Sequence, residues 1–276
     1  MPDGRPWPRF SIVTPSFNQG VFLEEAIRSV LLQGYPGVEL VVVDGGSSDH
    51  SVDIIRKYEP WLTWWVTERD AGPASALNKG FAHATGELLG FLNADDFLLP
   101  RALRVLAREF RVYPSADVIS GHGYFAKPSS DLGMATFSDE WDFQRFAYGA
   151  CVLLQQATFF RRTMFREVPG FSERSRTCWD QELWGDMALA GARFHLVNEF
   201  LAAFRLHPGS ITGDAAFRER RLRDARSVLE KVRGRPETAG DRLRSWMFRL
   251  RKFSSHPQRT VTQRMYFYST LKRWAL

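Results

Sequence analysis

The sequence is poor in cysteine, lacks a long apolar run and carries neither of the common phosphate-loop signatures. Only Cys151 and Cys178 occur in 276 residues, and no CxxC pair is present. That excludes a disulfide framework and a zinc site of the usual spacing. Both thiols read as buried small side chains, and a cytosolic setting is expected. No apolar stretch approaches the roughly 20 residues that span a bilayer. The opening MPDGRPWPRF has no apolar core segment, so a secretory signal is not expected there. No GxGxxG follows the first apolar run and no GxxxxGK[ST] occurs. These absences argue against a Rossmann dinucleotide site and against a P-loop. Internal repeats and low-complexity tracts are missing as well.

What is present suits a folded enzyme-sized body. Hydrophobic residues make up 44% and aromatics 14%, enough for a substantial core. The net charge of +6 is unevenly placed. Residues 214–276 hold 17 Lys/Arg against 6 Asp/Glu, and the remainder holds 20 against 25. A mildly acidic body therefore carries a strongly basic tail. The body shows no nucleic-acid-binding motif.

Periodicity gives an α/β chain. Strands are expected at 9–14, 38–43, 62–66 and 88–92, alternating with helices at 21–32, 51–58, 74–84 and 100–113. Further strands are expected at 117–121, 152–160 and 194–197, and a helix at 177–190. Residues 124–141 read as loop, and from Ala215 the chain turns Arg-rich and helical, with a break at Gly234-Arg235-Pro236. Alternation of this kind means βαβ units and a mainly parallel sheet. Right-handed crossovers then put the strand C-termini on one edge. The turns after Thr14, Val43 and Leu92 should converge there, bringing Ser16, Asn18, Asp44, Ser47, Asn93 and Asp95 into one polar crevice.

The stretch Glu68–Pro100 organises the rest. Its apolar run Leu88–Leu92 ends in Asn93-Ala94-Asp95-Asp96. Two adjacent acids at a strand end repel each other unless a cation neutralises them, and a hard divalent ion carrying phosphate is the usual solution. The alternative is that both acids cap the following helix.

Several separated motifs in order resemble the family 2 glycosyltransferases of the GT-A fold. Thr14-Pro-Ser-Phe-Asn18 looks like the family's first nucleotide-binding turn. Asp44-Gly-Gly-Ser-Ser-Asp49 looks like the second, whose first Asp contacts the base. Asp70-x-Gly72 and Ala76-Leu-Asn-Lys-Gly80, with Asn78 and Lys79, look like the central helix segment. Leu92-Asn-Ala-Asp-Asp96 looks like the DxD region, with Asn93 in place of its first acid. Trp179-Asp-Gln-Glu-Leu-Trp184 looks like the segment that supplies the base, and Arg205-Leu-His207 with Ser210 like the closing segment. The resemblance covers roughly residues 9–212 and implies a catalytic domain at 1–213 with a helical extension at 214–276. It also implies sugar transfer with inversion from a nucleotide-diphosphate sugar, most commonly a UDP-sugar, to a hydroxyl of a saccharide or lipid-linked saccharide. Mn²⁺ or Mg²⁺ would sit on Asp95, with Asp96 and His207 as further candidate ligands. Asp96 could instead hold a backbone turn, and Lys79 could meet phosphate or be a solvated charge.

Asp180 is the candidate base, and Glu182 the runner-up on another side of the same helix. Trp179 and Trp184 could wall the cleft or be plain core, and Asp180 could be a helix cap. A non-catalytic nucleotide-sugar-binding protein and a sugar-phosphate nucleotidyltransferase are the competing readings. The latter would need glycines and a cation after the first strand, which Thr14–Asn18 lacks. In the tail, Leu243, Trp246, Met247 and Leu250 fall at i, i+3, i+4 and i+7 with arginines mainly off that stripe. This helix could lie on an anionic membrane surface, dock on the body or pair with a second subunit.

Overall fold

The computed structural model describes residue 4 and residues 6–255. The chain opens with β1 (Phe10–Ser16), α1 (Gly20–Leu31), β2 (Val38–Asp44), α2 (Ser51–Tyr58) and β3 (Trp64–Thr67). It continues with α3 (Pro73–Ala82), β4 (Leu88–Phe91), β5 (Phe97–Leu98), α4 (Ala102–Val112), β6 (Val118–Ala126) and β7 (Leu132–Thr136). Then come α5 (Phe143–Ala147), β8 (Thr158–Arg161), α6 (Arg162–Arg166), α7 (Trp179–Leu189), β9 (Phe194–Arg205), α8 (Arg218–Arg233) and α9 (Ala239–Ser255).

Among the described residues the strands form one sheet in the order β3-β2-β1-β4-β8-β6-β9-β5, with β7 beside β6. The first four strands are parallel. Antiparallel β8 joins them to a mixed second half. The parallel half is expected from its βαβ pattern, because only a helical crossover returns the chain for a parallel pairing.

Alternation along buried strands divides the core in two. Phe10, Ile12, Leu40 and Val42 face one side with residues of α1, α2 and α4. Val13, Val41 and Val43 face the other with α3, α7 and α8. Side-chain period two puts neighbours on opposite faces, so both faces need helices, and the strands read as continuous apolar runs. From α8, Val228 and Val232 join the second cluster beside Leu183 and Met187.

Several boundaries differ from the periodic reading. The expected strand at 152–160 is confined to β8, with a 3₁₀ turn at Gln155–Ala157 before it. Gln155 and Gln156 are drawn into that turn by side-chain hydrogen bonds to the β4 end and to Asp96. The loop expected at 124–141 contains β7, paired to β6 across an irregular register. The strand expected at 194–197 continues as one strand to Arg205. Short α5 and α6 carry too few residues for a periodic signal.

Candidate active site

In-register pairing builds the site floor. Ser16 lies opposite Asp44, and Asp44 opposite Thr67, at the C-terminal edge of β1, β2 and β3. The turn after β4 brings Asn93–Asp96 beside them. A cavity of about 1160 Å³ opens over this edge. Its lining includes Ser16, Asp70, Asn93, Asp95 and Asp180, from segments far apart in the chain, while Asn18, Asp44 and Ser47 of the expected crevice are not on it. Among the described residues the buried Ser16 hydroxyl has no hydrogen-bond partner, which leaves a polar atom for a ligand.

Asp95 Oδ2 lies 3.0 Å from His207 Nε2. The His207 ring packs on Phe22 of α1, with centroids 4.7 Å apart. Fully buried Arg205 donates to the Asp95 carbonyl at 2.9 Å and also pairs with Glu25. The end of β9 thus fixes both members of the pair. An oxygen and an imidazole nitrogen at this separation suit a divalent ion whose remaining positions are filled by phosphate or water. Among the described residues no cluster of three or more His, Cys, Asp or Glu forms a complete protein cage.

Asp96 is turned the other way and is a correction to the expected metal set. Its side chain is fully buried and accepts from Gln156 Nε2 at 2.7 Å and from the Arg205 backbone N–H at 2.9 Å. Burial, with the neighbouring Asp95 charge, pushes its pKa well above the ordinary carboxylate range. Asp96 therefore ties the turn to β9 and the 3₁₀ segment. Neither acid caps the next helix: the residue before α4 is Arg101, and no side-chain cap bond is made there. The Asn93 amide donates to Gln155 at 3.2 Å and reaches Asp96 Oδ2 at 3.4 Å. A carboxylate at 93 could donate neither of these bonds.

Five more expected donor contacts are placed outside the cavity lining. Thr14 is fully buried within β1. Asp44 is buried and accepts from the Gly46 and Ser47 backbones and from Thr67 Oγ1, holding the turn after β2. Asn18, at φ 51°, locks that turn from the other side by accepting from the Ser48 N–H at 2.9 Å. Asn78 exchanges two 2.8 Å hydrogen bonds with the Phe171 backbone. Lys79 is paired with Glu68. These residues shape the walls from behind. Ser48, Gly45 and Gly46 are the parts of the second turn that line the cavity.

The α7 acids separate cleanly. Asp180 lines the cavity, while Glu182 pairs with Lys231 of α8 at 2.9 Å. Burial pushes the Asp180 carboxyl up to about 6, against the pull of its own and the Gln181 backbone N–H groups. The residue preceding α7 is Cys178, whose side chain makes no cap bond. Trp179 lines the cavity, but Trp184 does not. Trp184 is buried against Phe91 and Phe160, so of the pair only Trp179 is a cleft wall. Both cysteines are buried and free, their thiols pushed up by burial to about 11 and about 12.

Sequence reasoning missed Gln155, Gln156, Arg69 and Arg176, all on the lining. The glutamines sat inside an apolar run, where two adjacent amides flanked by aliphatic residues are the available signal. The arginines had no signal beyond their charge.

The model of "Glycosyl transferase family 2" matches residues 11–169, more than half of the chain. The chain belongs to this family. It is a glycosyltransferase, and its fold is GT-A. An uncharacterized glycosyltransferase of Mycobacterium tuberculosis is 32% identical over 188 residues, covering 63% of this chain and 67% of that protein. A PGL/p-HBAD biosynthesis glycosyltransferase of Mycobacterium bovis is 31% identical over 205 residues, covering 70% and 78%. Staphylococcus aureus TarS 1–349, solved in complex with UDP-GlcNAc, superposes with a TM-score of 0.66 at 18% identity over 90% of this chain and 73% of that one. The mannosyltransferase PcManGT of Pyrobaculum calidifontis, solved with GDP-Man and Mn²⁺, gives 0.63 at 22% identity over 88% and 72%. The glycosyltransferase spans 44% of the longer S. aureus TarS chain. Among its described residues no helix is long and apolar enough to cross a membrane.

Proposed function

We propose that this glycosyltransferase moves a sugar from a nucleotide-diphosphate sugar to a hydroxyl of a saccharide or lipid-linked saccharide, with inversion at the anomeric carbon. The carrying observation is that Asp95, in the turn after β4, and Asp180, on α7, line one cavity. Nucleotide sugars in two structurally similar proteins support the donor class, UDP-GlcNAc in one and GDP-Man in the other. We favour a UDP-sugar. The M. bovis relative's assignment to PGL/p-HBAD biosynthesis supports a cell-envelope acceptor.

Asp95 and His207 would hold Mn²⁺ or Mg²⁺, which when bound supplies positive charge to the leaving diphosphate. Ser16 and the turn at Gly45–Ser48 take the nucleotide end, and Asp70 closes the floor beside them. Asp180 accepts the proton of the acceptor hydroxyl as its oxygen bonds the anomeric carbon and the bond to diphosphate breaks. A carboxyl with a pKa of about 6 is ionised near neutral pH, yet basic enough to take a proton in the transition state. A single displacement needs one base, and α7 presents one carboxylate to the cavity. Trp179 offers an apolar wall for a sugar face.

We read residues 1–213 as the catalytic unit and 214–276 as an extension whose first helix is built into that unit's core. The cysteine usage favours a cytoplasmic reaction. The deciding experiment is a screen of nucleotide sugars for Mn²⁺-dependent donor hydrolysis and transfer, by wild type and by Asp180→Asn. Donor binding without transfer by the wild type, on any acceptor, would leave a binding protein.

A further inference from the structure

Helix α9 is held to the body by one side and shows an apolar stripe on the other. On the inner side Asp241 is buried and pairs with Arg235 at 2.6 Å. Phe248 packs on Tyr148, and Lys252 reaches Asp139 at 2.6 Å. On the outer side Leu243, Trp246, Met247, Leu250 and Phe253 are exposed, Trp246 at 60%. The stripe is therefore not docked on the described body.

At 3.6 residues per turn, Arg242 and Arg249 fall along one edge of this stripe, and Arg244 and Arg251 along the other. All four are exposed. Arg242 touches Glu237, Arg244 the Tyr148 hydroxyl and Arg249 the Gly149 carbonyl. The exposed Arg242 and Arg249 contacts cost little to exchange, whereas Arg244 also lies over the buried Tyr148 ring. An apolar ridge bordered by guanidinium groups on both sides matches a bilayer interface, with side chains among the acyl chains and cations at the phosphates.

We propose that the outer face of α9 docks on an anionic lipid surface. Charge decides between this occupant and a second copy of the chain. Two such faces brought together would oppose arginine rows, whereas anionic headgroups complement them. The inner side of the same helix is tied to the cavity through Asp139. This residue accepts from Lys252 of α9 and from the backbone N–H of Val152, which lines the cavity.

Co-sedimentation of the full chain with phosphatidylcholine vesicles, with and without phosphatidylglycerol, tests the proposal independently of turnover. The chain should bind the mixed vesicles at low salt, and binding should fall as salt rises. Trp246→Ser/Leu250→Ser, at exposed positions and with an unchanged melting temperature, should lower the partition coefficient at least tenfold. Arg242→Gln/Arg251→Gln should lower it several-fold. Three results would overturn the proposal. They are no binding to the mixed vesicles, equal binding by the Trp246→Ser/Leu250→Ser variant, or a wild-type dimer in solution that this variant turns into a monomer.

Discussion

Asp95, Asp96 and Asp180 are three carboxylates whose surroundings assign them different tasks. Asp180→Asn preserves shape and removes the proposed base. Transfer should fall by roughly a hundredfold to ten-thousandfold while donor affinity, read by calorimetry, persists. Wild-type kcat should climb as pH rises through about 6, because the carboxyl must be ionised to accept the proton. Folding linkage has the opposite sense. The Asp180 pKa lies above the ordinary 3.8, so its contribution to stability is full below 3.8 and is lost as pH rises through about 6. Relative to wild type, Asp180→Asn should therefore melt higher at pH 8 than at pH 4. A melting difference independent of pH would mean that Asp180 is not desolvated. For the other pair, Asp95→Asn should weaken Mn²⁺-dependent nucleotide binding with little change in melting temperature. Asp96→Asn should do the reverse, since its oxygens accept from Gln156 and the Arg205 backbone. Loss of Mn²⁺ response in Asp96→Asn alone would return the ligand role to Asp96.

Among the elements, α3 shows how closely the walls of the site are packed. A Cβ at Gly80 would come within 2.3 Å of Val13 Cγ1 on β1. Glycine lets this helix lie flat on the strands whose ends form the site, while Leu77 and Phe81 fill the core on either side. Gly80→Ala should destabilise the fold by about 1–3 kcal/mol through overpacking. Denaturant titration reads this as a lower midpoint with an unchanged slope. No loss of stability would show that α3 can shift away from β1 at little cost. Two residues earlier in the same helix, Asn78 clamps the Phe171 turn. Its conspicuous place in the sequence thus reflects wall building.

In the whole molecule, the cavity is lined by both halves of the sheet. Ser16 to Asp95 come from the parallel half, and Phe125 to Gln156 and Arg176 to Phe217 from the remainder. A ligand that bridges the halves should stabilise all of the fold. UDP with Mn²⁺, at a hundred times its dissociation constant, should add about 2.7 kcal/mol to the unfolding free energy. Excess EDTA should remove most of the resulting rise in melting temperature, and metal-dependent transfer with it. An equal thermal shift in EDTA would show that nucleotide binding does not use the Asp95–His207 pair.

Local chemistry in the sequence determined the parallel half and pointed to the crevice at its strand ends. Apolar runs such as Val38–Val43 can bury both faces only inside an α/β sheet, and crossover handedness sends their polar ends to one edge. Asp95, Ser16, Asp70 and Asp180 were legible because each stands in a motif beside a strand or helix end. Which way neighbouring side chains point was not legible. Asp95 and Asp96, or Asp180 and Glu182, are alike in composition and differ only in what distant segments place against them. Arg205 and Gln156 draw Asp96 inward, and Lys231 draws Glu182 away. Likewise the spacing in α9 defined its apolar stripe, but contacts with Tyr148 and Asp139 decided that the stripe faces outward. The tail's further bulky apolar residues, Met265, Tyr266, Phe267, Tyr268 and Trp274, lie outside the described residues. Periodicity fixes a face relative to its own helix axis, whereas the direction of that face is set by long-range packing and charge pairing.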